Sequence, residues 1–227
     1  MFLPLYDSNK IAHIEFPYVN YGILGVTTLV FLFQYVSGPD GLYYSHISFG
    51  MIPIVVRDLV PAPLPWLPDH ATLLTYMFLH ADWLHLLSNM LFLWVLGDNV
   101  EDALGHVRYL LFYLACGVLA ALLHLLIFAS DNGPLVGASG AVAGVIGAYI
   151  LLYPHVRVFV LSRIVITLPL ALPAWAVLGL WIASQLFYVM VGSDDGVAWW
   201  AHIGGVAAGA VLVVVFKRRE TPLFGGG

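Results

Sequence analysis

Apolar residues dominate six long stretches of the chain, and the segments between them hold most of the polar residues. A helix that crosses a bilayer needs about 20 mostly apolar residues, and each stretch is close to that length. The predicted spans cover residues 19–36, 84–100, 107–128, 135–153, 164–191 and 197–216. This pattern predicts an all-α membrane protein with six transmembrane helices.

The composition excludes the ordinary soluble classes of protein. Hydrophobic residues make up 61% of the 227 residues and charged residues only 9%, whereas about a quarter of a typical soluble domain is charged. The mean hydropathy is +0.93. The formal net charge of -5 argues against nucleic acid as a partner. Cys116 is the single cysteine, so neither an internal disulfide nor a thiolate metal cage can form.

Basic residues lie almost entirely on one side of the six-span arrangement. Cytoplasmic loops of membrane proteins carry an excess of Lys and Arg, and here only Arg57 falls on the opposite side. The residues that share a side are Lys10, Arg108, Arg157, Arg163, Lys217, Arg218 and Arg219. Both termini are therefore predicted to be cytoplasmic. Glu101 and Arg108 are interpreted either as a pair that stabilises a loop at the inner interface or as topology signals.

A long first loop separates the first two spans. The predicted organisation is an N-terminal cytoplasmic segment (1–18), a membrane domain (19–216) that includes this loop (37–82), and a cytoplasmic tail (217–227). The loop is apolar but rich in proline, which prevents a spanning helix, and residues 51–60 could form a short helix in the outer interface. Two interpretations stay open: a loop packed on the bundle, or a structure that shapes access from the lipid. No cleaved signal peptide is expected.

Several polar side chains inside the predicted spans share one depth. With the N-terminus inside, spans two, four and six all run from the outer to the inner face. Ser139 and His202 each lie roughly 21 Å above the inner boundary, at 1.5 Å per residue. Asn89 and His85 lie roughly 18 and 24 Å above it. In a core about 30 Å thick, all four lie within about 10 Å of the outer face, where buried polar groups are costly and favour a functional site.

Small residues on spans four and six predict that these two helices pack closely. Such faces allow two helix backbones to approach each other in a membrane. A close crossing would bring Ser139 within hydrogen-bonding reach of His202, which could then accept the proton of the hydroxyl. The small residues concerned are Gly140 and Gly144 in span four, and Gly205 and Gly209 in span six.

Asn89 and His85 are four residues apart and therefore share one face of span two. Together they could direct hydrogen-bond donors at one point, which is what the oxyanion of an acyl-transfer reaction requires. Ser139 also begins a helix, where free N–H groups and the positive end of the helix dipole favour an anion. The combination favours a nucleophilic serine site.

Each of these residues also has a structural interpretation. Gly-x-Ser-Gly is typical of tightly packed membrane helices, and Asn89 could simply hold neighbouring helices together. A lone intramembrane histidine is about as often a structural donor as a functional group. His80 is expected to brace the loop or span two, and His124 to be structural. The shared depth of serine, base and donors is what favours catalysis.

The motifs resemble those of the rhomboid intramembrane serine proteases. Three elements occur in a specific order on alternate spans: His-xxx-Asn, Gly-x-Ser-Gly and Ala-His-x-x-Gly. The resemblance covers about residues 19–216. The matching residues are 78–89 (FLHADWLHLLSN), Gly97, Glu101, Gly137-Ala138-Ser139-Gly140, Ala201-His202-Ile203-Gly204-Gly205 and Gly209.

The resemblance implies a six-helix bundle whose short fourth helix begins inside the membrane. It implies a catalytic dyad of Ser139 and His202 without a third acid. It assigns stabilisation of the oxyanion to His85 and Asn89, together with the backbone around Gly137 and Ala138. It also implies that Gly137 keeps the approach to the serine open, that the first loop is embedded in the membrane, and that the fifth span borders the entry route for substrate.

The implied activity is that of an endopeptidase that cuts membrane-anchored proteins near the outer face of the bilayer. The expected partners are transmembrane protein substrates and lipid, with no cofactor, no metal and no nucleic acid, and the expected location is a bacterial inner membrane. Three sites depart from some family members. Ala143 replaces a tyrosine that stacks on the catalytic histidine, Ser88 replaces a bulky aromatic residue, and Ala71-Thr72 replaces a Trp-Arg pair in the first loop. These changes leave the dyad intact.

Two other classes of function stay open. An inactive relative could bind and escort membrane clients, although such relatives typically lack the serine or the histidine, and both are present here. A metal or ion transporter could use His80, His85, His124 and His202. The absence of intramembrane carboxylates and of a His-Glu-x-x-His motif argues against a transporter.

Overall fold

The computed structural model describes residues 2–64, 66–163, 167–193 and 196–225, and the protein is predominantly helical. In chain order, the helices are α1 (Tyr18–Val36), α2 (Gly38–Phe49), α3 (Pro53–Val56), α4 (Thr72–Thr75), α5 (Trp83–Leu104), α6 (His106–Ile127), α7 (Ser139–Leu152), α8 (Ala174–Val191) and α9 (Trp199–Phe216). Turns of 3₁₀ helix at Asp69–Ala71 and Tyr76–Phe78 flank α4. The strands are β1 (Phe2–Asp7), β2 (Arg157–Arg163) and β3 (Thr167–Pro173).

Within the described ranges, four helices are long and apolar enough to cross a membrane, namely α1, α6, α8 and α9. Helix α5 has 22 residues, but Asp98, Glu101 and Asp102 make its last turns polar. Helix α7 is apolar and has only 14 residues, so it extends roughly 21 Å at 1.5 Å per residue. The protein is therefore a membrane protein built around several apolar helices.

Helix α7 begins later than the sequence pattern predicts, at Ser139 rather than at residue 135. Leu135 exchanges two backbone hydrogen bonds with Met51, with N···O distances of 2.8 and 3.0 Å. Gly137 has a φ of +121°, which no helical residue adopts. The apolar residues before Ser139 are therefore extended chain paired with the first loop, which hydropathy alone does not reveal.

The fifth predicted span is wrong at its start. It was expected at residue 164, which lies outside the described residues, whereas α8 begins at Ala174. The residues before α8 form a sheet of order β1-β2-β3, with both strand pairs antiparallel. The sheet was missed by the all-α prediction, because an apolar run with β-branched residues was counted as part of a span. Proline at 169 and 173 suits strand β3 at the sheet edge better than a helix interior.

The sheet contacts the C-terminal ends of α5 and α7. Val158 and Val160 of β2 are fully buried, and the ring of Tyr6 in β1 stacks on Phe159 with centroids 4.2 Å apart. Asp7, at the end of β1, accepts hydrogen bonds from Tyr149 of α7 and from Asn99 of α5. The N-terminal segment is thus part of the folded structure rather than a separate extension.

Glu101 and Asp102 at the end of α5 bind the N-terminal segment. Glu101 accepts hydrogen bonds from the backbone N–H groups of Val19 and Asn20, at 3.0 and 2.7 Å, in the first turn of α1. Its carboxylate also contacts Nδ1 of His106. Among the described residues no ion pair joins it to Arg108, so the first of the two interpretations, a pair of Glu101 with Arg108, is wrong. Because the first N–H groups of a helix lack partners within it, this buried carboxylate stabilises α1.

The first loop is a structured element. Residues 38–49 form α2, which the sequence pattern did not predict, and the helix expected over 51–60 is limited to α3. The Tyr76 hydroxyl, near the end of the loop, donates a hydrogen bond of 2.7 Å to the carbonyl oxygen of Gly117 in α6. The loop therefore packs on the bundle, and through Met51 it reaches the chain that leads into Ser139.

Candidate active site

The crossing of α7 and α9 forms the centre of the site. A Cβ added to Gly205 would collide with the carbonyl oxygen of Gly140, and one added to Gly209 would collide with that of Gly144. The two backbones therefore touch, an approach that only small residues permit. The first contact joins Gly140 of α7 to Gly205 of α9, and the second joins Gly144 to Gly209, four residues later in both helices. The two helices therefore run parallel, and their N-terminal ends lie together.

Ser139 and His202 lie at this shared end. Ser139 is the first residue of α7 and is half-buried, and His202 lies in the first turn of α9 and is 8% exposed. Their sequence neighbours face each other, since a Cβ on Gly140 would lie 3.8 Å from the carbonyl oxygen of Ala201. The hydrogen bonds of the described residues do not include one between Ser139 and His202. Such bonds are often long in free enzymes and tighten with substrate.

The imidazole ring of His85 lies against Gly137. A Cβ at Gly137 would lie 2.5 Å from Cε1 and 2.6 Å from Nε2 of His85. The backbone N–H of Gly137 donates a hydrogen bond of 3.0 Å to the carbonyl oxygen of Tyr76. Glycine is therefore required at this position twice over, by the positive φ and by the ring that fills the space. His85 is thus held beside the turn that leads into Ser139.

Asn89 and His80 connect α5 with the same turn. Asn89 Nδ2 lies 3.0 Å from the carbonyl oxygen of His85 and 3.3 Å from His80 Nε2. The backbone N–H of Ala138 points at the same His80 nitrogen, at 3.5 Å. Because both neighbours are donors, Nε2 of His80 acts as the acceptor. The structure therefore places His85, Asn89, Gly137 and Ala138 in one group of contacts.

His80 is fully buried and braces both the loop and α5, as its expected structural role requires. Its backbone N–H donates to Gln34 Oε1 of α1 at 3.2 Å, and His46 Nε2 of α2 lies 3.1 Å from its carbonyl oxygen. Burial, together with the neighbouring His85, lowers the pKa of His80 to about 3. The ring is therefore neutral at physiological pH, as its acceptor role requires.

The start of α7 is suited to an anion. Its N-cap residue is Ala138, which has no side-chain hydrogen bond to offer, so N–H groups of the first turn keep their capacity to donate. The positive end of the helix dipole lies at the same place. A negative charge that develops on an oxygen near Ser139 would be stabilised there, next to His85 and Asn89.

Gln185 of α8 is a member of the site that the sequence analysis missed. Its Oε1 lies 2.8 Å from Nδ1 of His202, and it is only 4% exposed. The rings of Trp181 and Trp199 lie beside the same imidazole, with centroids 5.9 and 5.8 Å away. The signal was available, because a glutamine inside an apolar span is as costly as the histidines that were singled out.

The imidazole ring of His124 packs beside the ring of Phe128, with centroids 4.9 Å apart. No described hydrogen bond joins it to the residues around Ser139. In the parts of the chain that the structure describes, no group of three or more His, Cys, Asp or Glu residues could hold a metal ion. The chemistry offered by the site is therefore that of a serine, an imidazole and hydrogen-bond donors.

A family model, described as the Rhomboid domain, matches residues 68–219 of the chain. This range contains the whole of the site from His80 to His202. It also includes the sheet strands β2 and β3 and every helix from α4 to α9.

Curated relatives also match part of the chain. RHOMBOID-like protein 1 of Arabidopsis thaliana is 33% identical over 147 residues, which are 65% of this chain and 34% of the relative. Rhomboid protein 1, mitochondrial, of Saccharomyces cerevisiae is 29% identical over 164 residues, 66% of this chain and 44% of the relative. Rhomboid protease GluP of Bacillus subtilis is 43% identical over 81 residues, 36% of this chain and 15% of the relative. The chain thus spans less than half the length of these relatives.

Proposed function

The chain belongs to the rhomboid family, and from this premise we propose that it is an intramembrane serine endopeptidase. Its substrates are membrane-anchored proteins, cut near the outer face of the bilayer. The observation that carries the proposal is the parallel crossing of α7 and α9, with Ser139 and His202 in the first turns at one end. A relative with a protease name, GluP, supports the same activity.

The proposed chemistry follows the logic of serine proteases. His202 accepts the proton of the Ser139 hydroxyl, and the oxygen attacks the carbonyl carbon of the scissile bond. His85, Asn89 and the N–H groups at the start of α7 stabilise the oxyanion. His202 then returns the proton to the leaving amine, and water releases the acyl group from Ser139. Because the second step consumes water, the site must be open to the aqueous phase on the outer side.

The proposed arrangement in the membrane has six spans, formed by α1, α5, α6, α7, α8 and α9. Helix α7 is the short one and begins inside the bilayer. Both termini lie on the cytoplasmic side, which is supported by contacts between the N-terminal segment, the inner end of α5 and the tail. Asn9 Nδ2 donates to Asn99 Oδ1 at 2.6 Å, and the backbone N–H of Arg218 donates to the carbonyl oxygen of Ala103 at 2.9 Å.

The proposed domain organisation keeps the predicted boundaries, with a cytoplasmic segment at 1–18, a membrane domain at 19–216 and a tail at 217–227. A bacterial inner membrane is the proposed location. The loop at 37–82 is proposed to shape access from the lipid, because it reaches the site through His46 and His80 and also exposes Tyr43, Tyr44 and Trp66.

Labelling with a fluorophosphonate tests the proposal directly. The full chain in detergent is expected to be labelled, whereas Ser139→Ala and His202→Ala lose both labelling and cleavage of a membrane-anchored reporter, because the two residues act as one chemical unit. Ser48→Ala, which removes a serine of the first loop, serves as the matched control and keeps both signals. Chelators have no effect.

Two outcomes would overturn the proposal. Substantial cleavage by Ser139→Ala would show that another group is the nucleophile. A folded wild-type protein that is neither labelled nor able to cut, but that still binds transmembrane segments, would favour the alternative of an inactive protein that escorts membrane clients.

A further inference from the structure

Gln185 is the single polar residue on the buried face of α8. The buried residues of this helix are Ala174, Val177, Leu178 and Gln185. A buried amide is unfavourable unless its hydrogen-bonding groups have partners. The partners of Gln185 are the carbonyl oxygen of Trp181, Ser184 Oγ and Nδ1 of His202, and the last of these lies on another helix. The position of this glutamine therefore requires an explanation beyond packing.

The orientation of the amide is determined by its neighbours. The Nε2 group of Gln185 donates to the carbonyl oxygen of Trp181 at 3.0 Å and to Ser184 Oγ at 2.8 Å. The Ser184 hydroxyl donates to the same carbonyl oxygen at 2.6 Å, so its oxygen is free to accept. A flipped amide would put Oε1 against the Trp181 carbonyl, two acceptors with no hydrogen between them. Oε1 must therefore face His202.

This orientation determines the tautomer of His202. Oε1 can only accept a hydrogen bond, and it lies 2.8 Å from Nδ1 of His202. The proton of the neutral imidazole is therefore on Nδ1, and the lone pair is on Nε2. A histidine that acts as general base toward a serine through Nε2 requires this tautomer.

We propose that Gln185 is a positioning residue, which holds His202 as the Nδ1–H tautomer with Nε2 free to accept the Ser139 proton. The inference rests on the proposed function and extends it from a dyad to a Ser-His-Gln arrangement. The orientation of the His202 ring also needs a restraint if Nε2 is to face one partner. Gln185 supplies it from α8, together with the rings of Trp181 and Trp199.

This arrangement accounts for every proton that moves during the acylation step. When Ser139 attacks, its proton moves to Nε2 and the imidazole becomes a cation that keeps its Nδ1–H bonded to Oε1 of Gln185. The Nε2 proton then passes to the leaving amine, and the neutral tautomer is restored. Gln185 neither gains nor loses a proton, and its oxygen stabilises both states of the ring.

Two variants of Gln185 distinguish a side chain that positions His202 from one that only fills space. Gln185→Met fills the same volume without an acceptor, and it is expected to lower kcat by about 10²- to 10⁴-fold, the scale of a histidine held as the wrong tautomer, with little change in KM. Gln185→Glu, protonated in its buried position, keeps an oxygen toward Nδ1 and an O–H that can donate to the Trp181 carbonyl, and it is expected to recover most of the rate. A loss of packing alone would instead affect both variants alike.

Nitrogen-15 NMR of labelled histidine reads the tautomer without any turnover, with His202→Ala used to assign the signal. The wild-type protein is expected to show protonated Nδ1, and Gln185→Met a shift toward protonated Nε2. Gln34→Met, which removes another buried glutamine, leaves the His202 signal unchanged. Protonated Nε2 in the wild type, or wild-type kcat in Gln185→Met, would overturn the proposal. If the wild type does not cut at all, the proposed function fails, whereas the NMR result still decides whether Gln185 sets the tautomer.

Discussion

Asn89 Nδ2 lies 3.3 Å from His80 Nε2 and, on its other side, 3.0 Å from the carbonyl oxygen of His85. Both hydrogens of the amide are therefore engaged before a substrate is bound. A substrate oxygen that receives a hydrogen bond from Asn89 must take the place of His80 as acceptor. Since His80 is buried and neutral, this exchange replaces a neutral acceptor with a developing anion. The hydrogen bond donated by Asn89 is therefore stronger in the transition state than in the free enzyme.

Replacement of Asn89 by alanine is therefore expected to lower kcat by about 10²–10³-fold, the usual effect of losing one oxyanion donor. His85→Ala is expected to act in the same way, because its ring lies beside the same turn. Steady-state kinetics on a membrane-anchored reporter measure the effect. Asn99→Ala, at the inner end of the same helix, is the matched control and leaves kcat within a few-fold of wild type. Wild-type kcat in both Asn89→Ala and His85→Ala would make α5 purely structural.

His80→Ala is expected to lower the unfolding temperature by several degrees. The change removes the acceptor for Asn89 and for the Ala138 N–H and leaves a cavity among buried groups, and both effects are destabilising. The dyad itself is untouched, so fluorophosphonate labelling below the transition persists. Thermal unfolding in detergent gives the unfolding temperature, and fluorophosphonate labelling of the native fraction shows whether the dyad is still reactive. An unchanged unfolding temperature would contradict the bracing role of His80.

Gly144→Leu and Gly205→Leu are expected to separate α7 from α9 and to destabilise the fold. An added side chain at Gly144 meets Cys116, and one at Gly205 meets the Gly140 carbonyl, so neither position has space for four more carbons. Gly25→Leu in α1 is the matched control, because nothing lies within 4 Å of a Cβ there. Unfolding temperature and residual cleavage decide the matter. Equal behaviour of all three variants would show that the crossing tolerates side chains.

The helices and the order of the site motifs could be predicted because hydropathy and residue spacing act locally along the chain. The start of α7 could not, because it depends on the pairing of Leu135 with Met51, two residues far apart in sequence. The sheet was missed for the same reason. Strand β2 is stabilised by partners at the N-terminus and in β3, and its apolar residues look like part of a span when read alone.

Gln185 shows a different limit of sequence analysis. Counting intramembrane histidines and serines points to the groups to which the proposed chemistry is assigned. The glutamine is an equally unusual polar residue inside a span, but the sequence does not show which side chain it faces, because its partner, His202, lies on another helix. Only the three-dimensional arrangement reveals that the amide oxygen points at Nδ1.

The part of the fold around Asp7 is expected to lose stability as the pH rises from about 4 to 7. Burial raises the pKa of Asp7 to about 6 from 3.8, although hydrogen bonds from Tyr149, Asn9 and Asn99 oppose the shift. Since the folded state binds the proton more tightly than the unfolded chain, the stability from this group is full below about pH 4 and is lost as the pH passes 6. Asp7→Asn removes the effect.

The comparison of wild type with Asp7→Asn isolates this carboxyl group. The other titrating groups are common to both proteins. The charges of Asp7 and Asp98 repel each other, and the loss of this coupling in the variant adds to the difference in the same direction. Unfolding temperatures recorded from pH 4 to pH 7 are expected to fall more steeply for the wild type than for the variant. If the unfolding temperatures of the two proteins change with pH in parallel, Asp7 does not have the buried position that its hydrogen bonds with Tyr149 and Asn99 require.

Substrates are expected to be cut in the outer part of their own spans. In the proposed orientation, Ser139 at the start of α7 lies roughly 21 Å from the cytoplasmic end of that helix, at 1.5 Å per residue. The proposed nucleophile therefore meets a client helix well above the cytoplasmic boundary. A helix engages its carbonyl groups in its own hydrogen bonds, and the scissile segment must therefore unwind first. Clients should carry Gly, Pro or similar residues that weaken a helix at that depth.

The turn around Gly137 and Ala138 also leaves little room beside the serine, since His85 fills the space next to Gly137. A small residue such as alanine is therefore expected before the cut bond. Moving the weak segment of a reporter from the outer to the cytoplasmic half of its span should stop cleavage, and a reporter with the segment moved within the outer half is the control. Mass spectrometry of the released fragments gives the cut sites. Cuts clustered at the cytoplasmic end would contradict the depth of Ser139 and, with it, the orientation inferred from Lys and Arg.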